Sequence, residues 1–119
     1  MNFPIDGQMS LPLLCRIDGP SVVPESHVKA CQTYRDAVRL CWRLRRVKSM
    51  TTLSLAEAAG FPANHRSDYL SDNEERRELP AKHIKAFEYV AGNTAISQWI
   101  AMNAKLTVLE EITASKLAA

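Results

Sequence analysis

Glycine is scarce in this 119-residue chain, with four in all. None lies in a G-x-x-x-x-G-K or G-x-G-x-x-G run, so no phosphate-cradling loop is present. The three cysteines, Cys15, Cys31 and Cys41, are an odd set without C-x-x-C spacing. That excludes a zinc-ribbon or dithiol redox motif and points to reduced thiols in a cytoplasmic protein. His27, His65 and His83 are scattered, none at metal-ligand spacing from a cysteine, so no metal and no cofactor is expected. There is no G-x-S-x-G nucleophile motif, and the expectation is that the chain is not an enzyme. No apolar run is long enough to span a bilayer, and the N-terminus lacks the basic start and continuous apolar stretch of a signal peptide.

What is present is an ordinary globular composition, 46% hydrophobic and 24% charged, enough for one compact domain and a tail. The net charge of +2 hides an uneven distribution. Residues 31–50 hold six cations (Arg35, Arg39, Arg43, Arg45, Arg46 and Lys48) against Asp36, a local +5 that leaves −3 for the remainder. A basic segment in a near-neutral chain suggests an anionic partner at one face.

Residues 1–25 carry four of the six prolines, which remove backbone donors and prevent a long helix. The run Leu11-Pro12-Leu13-Leu14-Cys15 is apolar, so this arm either docks on the body in extended form or is a disordered tail. Residues 26–48 read as a helix capped by Ser26. Tyr34, Ala37, Val38, Cys41 and Leu44 form its apolar face, and Arg35, Arg39, Arg43 and Arg46 recur at spacings that line one side. Residues 50–59 read as a second helix with Thr51 or Thr52 as cap and a competing capping box at Ser54 and Glu57. Its inner face is Leu55, Ala56 and Ala59, and Gly60 ends it. Residues 61–70 make a third helix with Pro62 in its first turn. A polar loop fills 71–78. Pro80 opens a fourth helix to about residue 91, with Ile84, Phe87 and Val90 buried, and Gly92-Asn93 stops it. Thr94 caps a fifth, to about 116, burying Ile96, Trp99 and Ile100. Its later Leu106, Leu109, Ile112 and Leu117 suit either a dimer seam or packing on the chain's own domain.

Two short helices joined by a glycine-centred turn are the mark of a helix-turn-helix. Gly60 sits where a side chain would clash, Ala56 lies where the helices cross closely, and Phe61 can plug the gap between them. The stretch Thr52-Leu-Ser-Leu-Ala-Glu-Ala-Ala-Gly60-Phe-Pro-Ala-Asn-His-Arg-Ser-Asp-Tyr-Leu70-Ser resembles the helix-turn-helix of lambda-repressor-like proteins, the Cro and repressor class of phage regulators. Ala56, Gly60 and Leu70 match that pattern. Leu79-Pro80 through Trp99 looks like the following part of short phage regulators, including the CII-like group. The resemblance covers about residues 33–100.

It implies an all-α, five-helix lambda-repressor-like domain over 26–100, with an extended N-terminal arm (1–25) and a C-terminal helix extension (101–119) suited to dimerisation. It also implies a transcriptional regulator of phage or mobile-element origin that binds duplex DNA as a homodimer. By position, Ala63, Asn64, Ser67 and Asp68 face bases, with His65 nearby. Asn64 can pair with adenine and Asp68 can accept from cytosine N4. Thr52 holds the position that often clamps a phosphate. Arg66 stands where the family usually has an inward-packing valine or isoleucine, so it must snorkel to solvent or phosphate, or the helix must be rotated slightly. Arg43 and Arg46 of the basic face, and Arg76 and Arg77 after the third helix, would grip the backbone, although Arg76 and Arg77 can equally pair with Glu74, Glu75 or Glu78. The rival expectation is a protein-interaction module, such as an antitoxin or inhibitor, favoured by Asp68, Asp72, Glu74 and Glu75, which oppose DNA.

Overall fold

The structure, a computed structural model, describes residues 19–118, with side chains at 19–105 and 109–115. The Leu11 to Cys15 run of the arm lies outside the described residues, as do the side chains of Leu106 and Leu117 in the expected seam. The described chain is helical and forms no strand. It has six α-helices: α1 (Glu25–Lys29), α2 (Tyr34–Arg43), α3 (Thr52–Ala59), α4 (Arg66–Tyr69), α5 (Ile84–Ala91) and α6 (Ala95–Ala118). Single 3-10 turns, Ala63–His65 and Ala81–His83, lead into α4 and α5.

The first expected helix is two. Thr33, with extended backbone, accepts from the Asp36 amide at 3.1 Å, and the Asp36 carboxylate accepts from the Gln32 amide at 3.1 Å. This reciprocal capping starts a new helix at Tyr34 and separates it from α1. Ser26 caps nothing, because the cap position of α1 is Pro24, which has no side-chain bond to give. α2 stops at Arg43, so Arg46 is not on the helix. Its place is in the bend that follows, where the guanidinium of Arg45 donates to the carbonyls of Trp42 and Lys48 at 3.1 and 2.8 Å.

α3 begins at Thr51, whose hydroxyl oxygen accepts from the Ser54 amide at 3.1 Å. It ends at Gly60, in the left-handed region at φ 83°, where a Cβ would cost roughly 1 kcal/mol of backbone strain and not the expected clash, since it would meet nothing within 4 Å. The third helix starts later than its sequence suggests: Pro62 is extended and precedes the 3-10 turn. Phe61 is buried between α3, α4 and α5, with its ring 5.1 Å from Tyr69 and 6.4 Å from Phe87. α2 packs on α6 and α3 on α5. Val28, Val38, Leu55, Phe87 and Ile96 are the largest fully buried apolar side chains of this core, each contributing about 1.5–3 kcal/mol of burial.

The start of α6 is held by side chains other than the expected Thr94, whose hydroxyl donates to Gln98 Oε1 at 2.9 Å. Asn93 Oδ1 accepts from the Ala95 amide, and the buried Glu88 carboxylate accepts from the Ser97 amide at 2.7 Å and its hydroxyl at 2.6 Å. An anion there also complements the positive end of the helix dipole. Asn93 Nδ2 donates to the carbonyls of Cys41 and Leu44, so one amide joins the end of α2 to the start of α6. Ile100, expected to be buried, is exposed, while Trp99 is half-buried.

Residues 19–24 lie against this junction. The Ser21 amide donates to Gly92 O and the Thr94 amide to Ser21 O. Gln98 mimics a peptide, accepting from the Val23 amide and donating to its carbonyl, both at 2.8 Å.

Candidate nucleic-acid interface

The sequence aligns Arg35, Arg39, Arg43 and Arg46 on one face, and the structure disperses them. Arg35 is 1% exposed. Its Nη1 donates to the carbonyls of Asp68 (2.7 Å) and Ser71 (3.0 Å), and its Nη2 to those of Arg76 (2.6 Å) and Arg77 (3.2 Å). The planar guanidinium fork suits this task, because it aims several donors at once. Arg35 therefore ties the end of α4 to the loop beyond it and is not available to a phosphate. Arg39 is half-buried and Arg43 is exposed. Arg46 crosses Gly92 and donates to Gly19 O at 2.9 Å.

Asp68, expected to face a base, turns inward. Its carboxylate pairs with Arg76 Nη1 at 2.8 Å and Arg77 Nη1 at 3.1 Å. The hydrogen bond from Arg76 lowers the Asp68 carboxyl below the usual carboxylate value. Partial burial opposes that, and the bond from Arg77 adds to the lowering. The partners of Arg76 and Arg77 are thus Asp68 and not the neighbouring glutamates. Both arginines remain 56% and 62% exposed, so each has donors left to offer. Backbone and side chain act together here: Arg35 fixes the carbonyls of residues 76 and 77 while Asp68 fixes their guanidinium groups.

Around them lie the other expected site residues. Asn64 and Ser67 are exposed on the outer side of the 63–69 segment, and Ala63 is half-buried at the core edge. His65 Nδ1 lies 3.2 Å from the Tyr69 hydroxyl. Arg66 neither enters the core nor extends outward, since its Nη1 folds back onto Ala63 O at 2.6 Å. Thr52 is half-buried, next to the capping Thr51.

A second cationic region is the bend after α2. Arg45 stacks on the Trp42 ring at 4.2 Å, and Lys48 Nζ donates to Arg43 O at 2.9 Å. Among the described residues no carboxylate pairs with Arg43, Arg45 or Lys48. These cations sit at the negative end of α2, where carbonyls attract them.

Sequence reasoning missed the Arg35 hub, the Glu88 cap and the Gln98 clamp. Thr33 three residues before Asp36 is a local signal for the break that moves Arg35 to the first turn of α2. The carbonyls that receive Arg35 come from 33 to 42 residues away, and no local pattern announces them. Tyr34, beside Arg35, is anchored the same way, its hydroxyl donating to Leu79 O at 2.6 Å. Burial, with Glu78 and Glu88 nearby, pushes that hydroxyl up to about 12. Burial likewise pushes up the free thiols of Cys31 and Cys41. Among the described residues no group of three or more His, Cys, Asp or Glu is placed to hold a metal ion, and no helix is long and apolar enough to cross a membrane. The chain matches no family model, no curated protein and no solved structure.

Proposed function

We propose that this chain is a helix-turn-helix regulator of transcription that binds a specific site on duplex DNA as a homodimer. The observation that carries the reading is the arrangement on and beside α4. The left-handed turn at Gly60 leads from α3 to the 3-10 turn and α4, which expose Asn64 and Ser67 respectively. Asp68 turns inward and holds two exposed arginines. In this reading Asn64 and Ser67 contact base edges, Arg76 and Arg77 contact phosphates, and Asp68 positions them. Arg43 and Lys48, with Thr52 at the start of α3, add backbone contacts.

The length and exposure of α6 support the dimer in this reading. Its 24 residues extend about 36 Å, and its described side chains after Met102 are all exposed, Leu109 and Ile112 among them. Helical stability in proteins comes mostly from packing of an apolar face, and pairing with a second copy would cover Leu109 and Ile112.

One observation favours the rival reading of a protein-interaction module. Residues 63–78 contain three arginines against five carboxylates, and the glutamates of the loop are exposed. A pool of random-sequence duplexes distinguishes the two. The regulator reading predicts binding at low salt, loss as salt rises, and enrichment of one sequence on repeated selection. Failure to bind any duplex at low salt, with a partner protein co-purifying, contradicts it.

A further inference from the structure

An apolar groove of about 870 Å³ runs between α5 and α6. Its walls include Ile84, Lys85, Tyr89, Ile100 and Ala101, and its mouth is Pro20. Tyr89 is 63% and Ile100 40% exposed, so two large apolar side chains stand unpartnered there. Among the lining residues, Glu88 and Ser97 already bond to one another, so an apolar occupant would leave that pair satisfied.

We propose that residues 11–17 of this same chain seat their apolar side chains in the groove between α5 and α6. The described chain begins at Gly19, and Pro20 is part of the groove's wall. Arg46 at Gly19 O, the Gly92 and Thr94 backbone at Ser21, and Gln98 at Val23 fix the adjoining segment. The fixed segment therefore holds Pro20 at the groove, and its tether would make binding of the preceding residues intramolecular. The preceding residues supply Leu11, Pro12, Leu13, Leu14 and Ile17, the content that such a groove would bury. Six residues of extended chain from Pro20 reach about 20 Å, more than the roughly 12 Å length of an eight-residue helix such as α5. Asp18 precedes the mouth, and Lys82 and Lys85 line the groove.

Cys15 lies inside the proposed segment and allows a direct test in the full chain. In a Cys31→Ser background, Ile100→Cys places a thiol on the groove wall, and Val47→Cys places one on the exposed surface next to Arg46 and outside the groove lining. Cys41 is buried and stays as it is. Under mild oxidation with diamide, the proposal predicts an intramolecular disulfide from Cys15 to the cysteine at 100 at least tenfold faster than to that at 47. Adding Leu14→Asp should abolish the preference. Equal rates at the two sites would mean an undocked tether and would overturn the proposal. So would no disulfide at 100, or disulfides only between copies, which would assign the groove to a second chain. If Ile100→Cys fails to fold, amide shifts at Lys85 and Tyr89 on Leu14→Asp substitution give the same answer: movement supports docking and unchanged positions refute it.

Discussion

At the loop following α4, Arg35, Arg76 and Arg77 converge on one carboxylate and a set of carbonyls. At the bend following α2, Arg45 and Lys48 meet carbonyls and the Trp42 ring, and no described carboxylate neutralises them or Arg43. By sequence Arg35 belongs to the same run of cations as Arg43, Arg45 and Lys48. By structure, Arg35 is buried in holding the fold together, while the bend leaves its charge at the surface. A count of basic residues therefore overstates the charge available to an anionic partner. Whether an arginine serves the fold depends on whether distant carbonyls converge on it.

The largest effect that would sharpen this contrast is expected at Arg35. Arg35→Met removes the donor shared by four carbonyls and should cost roughly 3–5 kcal/mol, as when other buried charge networks are broken. Arg35→Lys should recover little, since an ammonium lacks the fork. Thermal or urea unfolding measures both, and a loss below about 1 kcal/mol would break the comparison.

Next in size is Gly92→Ala. Gly60 and Gly92 share a left-handed φ of 83° and 91°, but a Cβ at Gly60 meets open space and one at Gly92 falls 2.8 Å from Arg46 Nε. Gly60→Ala should cost about 1 kcal/mol of backbone strain, and Gly92→Ala clearly more, with Arg46→Ala in the same chain recovering only part of the difference, because the Arg46 Cβ also lies 2.9 Å from the added methyl. Equal losses at the two glycines would show that Arg46 does not pack there.

Acid gives a third contrast. Asp68 is held below its unfolded value of about 3.9, so its contribution is complete above that pH and is lost as pH falls through the lower folded value. Resonances of Arg76 and Arg77 should move together in that range, and those of Arg43 and Lys48 should not follow. Asp68→Asn should remove the step. The smallest effect is expected at the bend itself: Arg43→Ala and Lys48→Ala should leave stability within about 0.5 kcal/mol, while each lowers the salt dependence of DNA binding by about one phosphate contact.

The parts legible from sequence were those set locally. Gly60 and Gly92 end helices because only glycine takes their backbone angle without strain. Thr51 is one of two caps that the sequence leaves open, and its hydroxyl position decides between them. The periodic apolar residues Ala37, Val38, Cys41, Leu55 and Phe87 are buried. The first helix was misread because its apolar spacing is strong enough to hide the Thr33–Asp36 capping pair inside it. The roles of Arg35, Asp68, Glu88 and Gln98 were not legible, since each depends on a partner supplied by tertiary packing. Pairing within the 74–78 loop and pairing with Asp68 look alike until the chain is folded. Arg66 could not be placed by an apolar pattern, because Phe61 and Tyr69 fill the core around it and leave its side chain to fold back on Ala63.

The central claim is that Arg76 and Arg77, held by Asp68 beside the exposed side of the second helix, contact the phosphates of duplex DNA. The most direct test is the salt dependence of binding to a random-sequence duplex pool, compared between the native chain and Arg76→Ala/Arg77→Ala. The account predicts that the native chain binds at low salt and that the double substitution lowers the slope of log K against log salt by about two contacts. An unchanged slope, or no binding by the native chain at any salt, would contradict it.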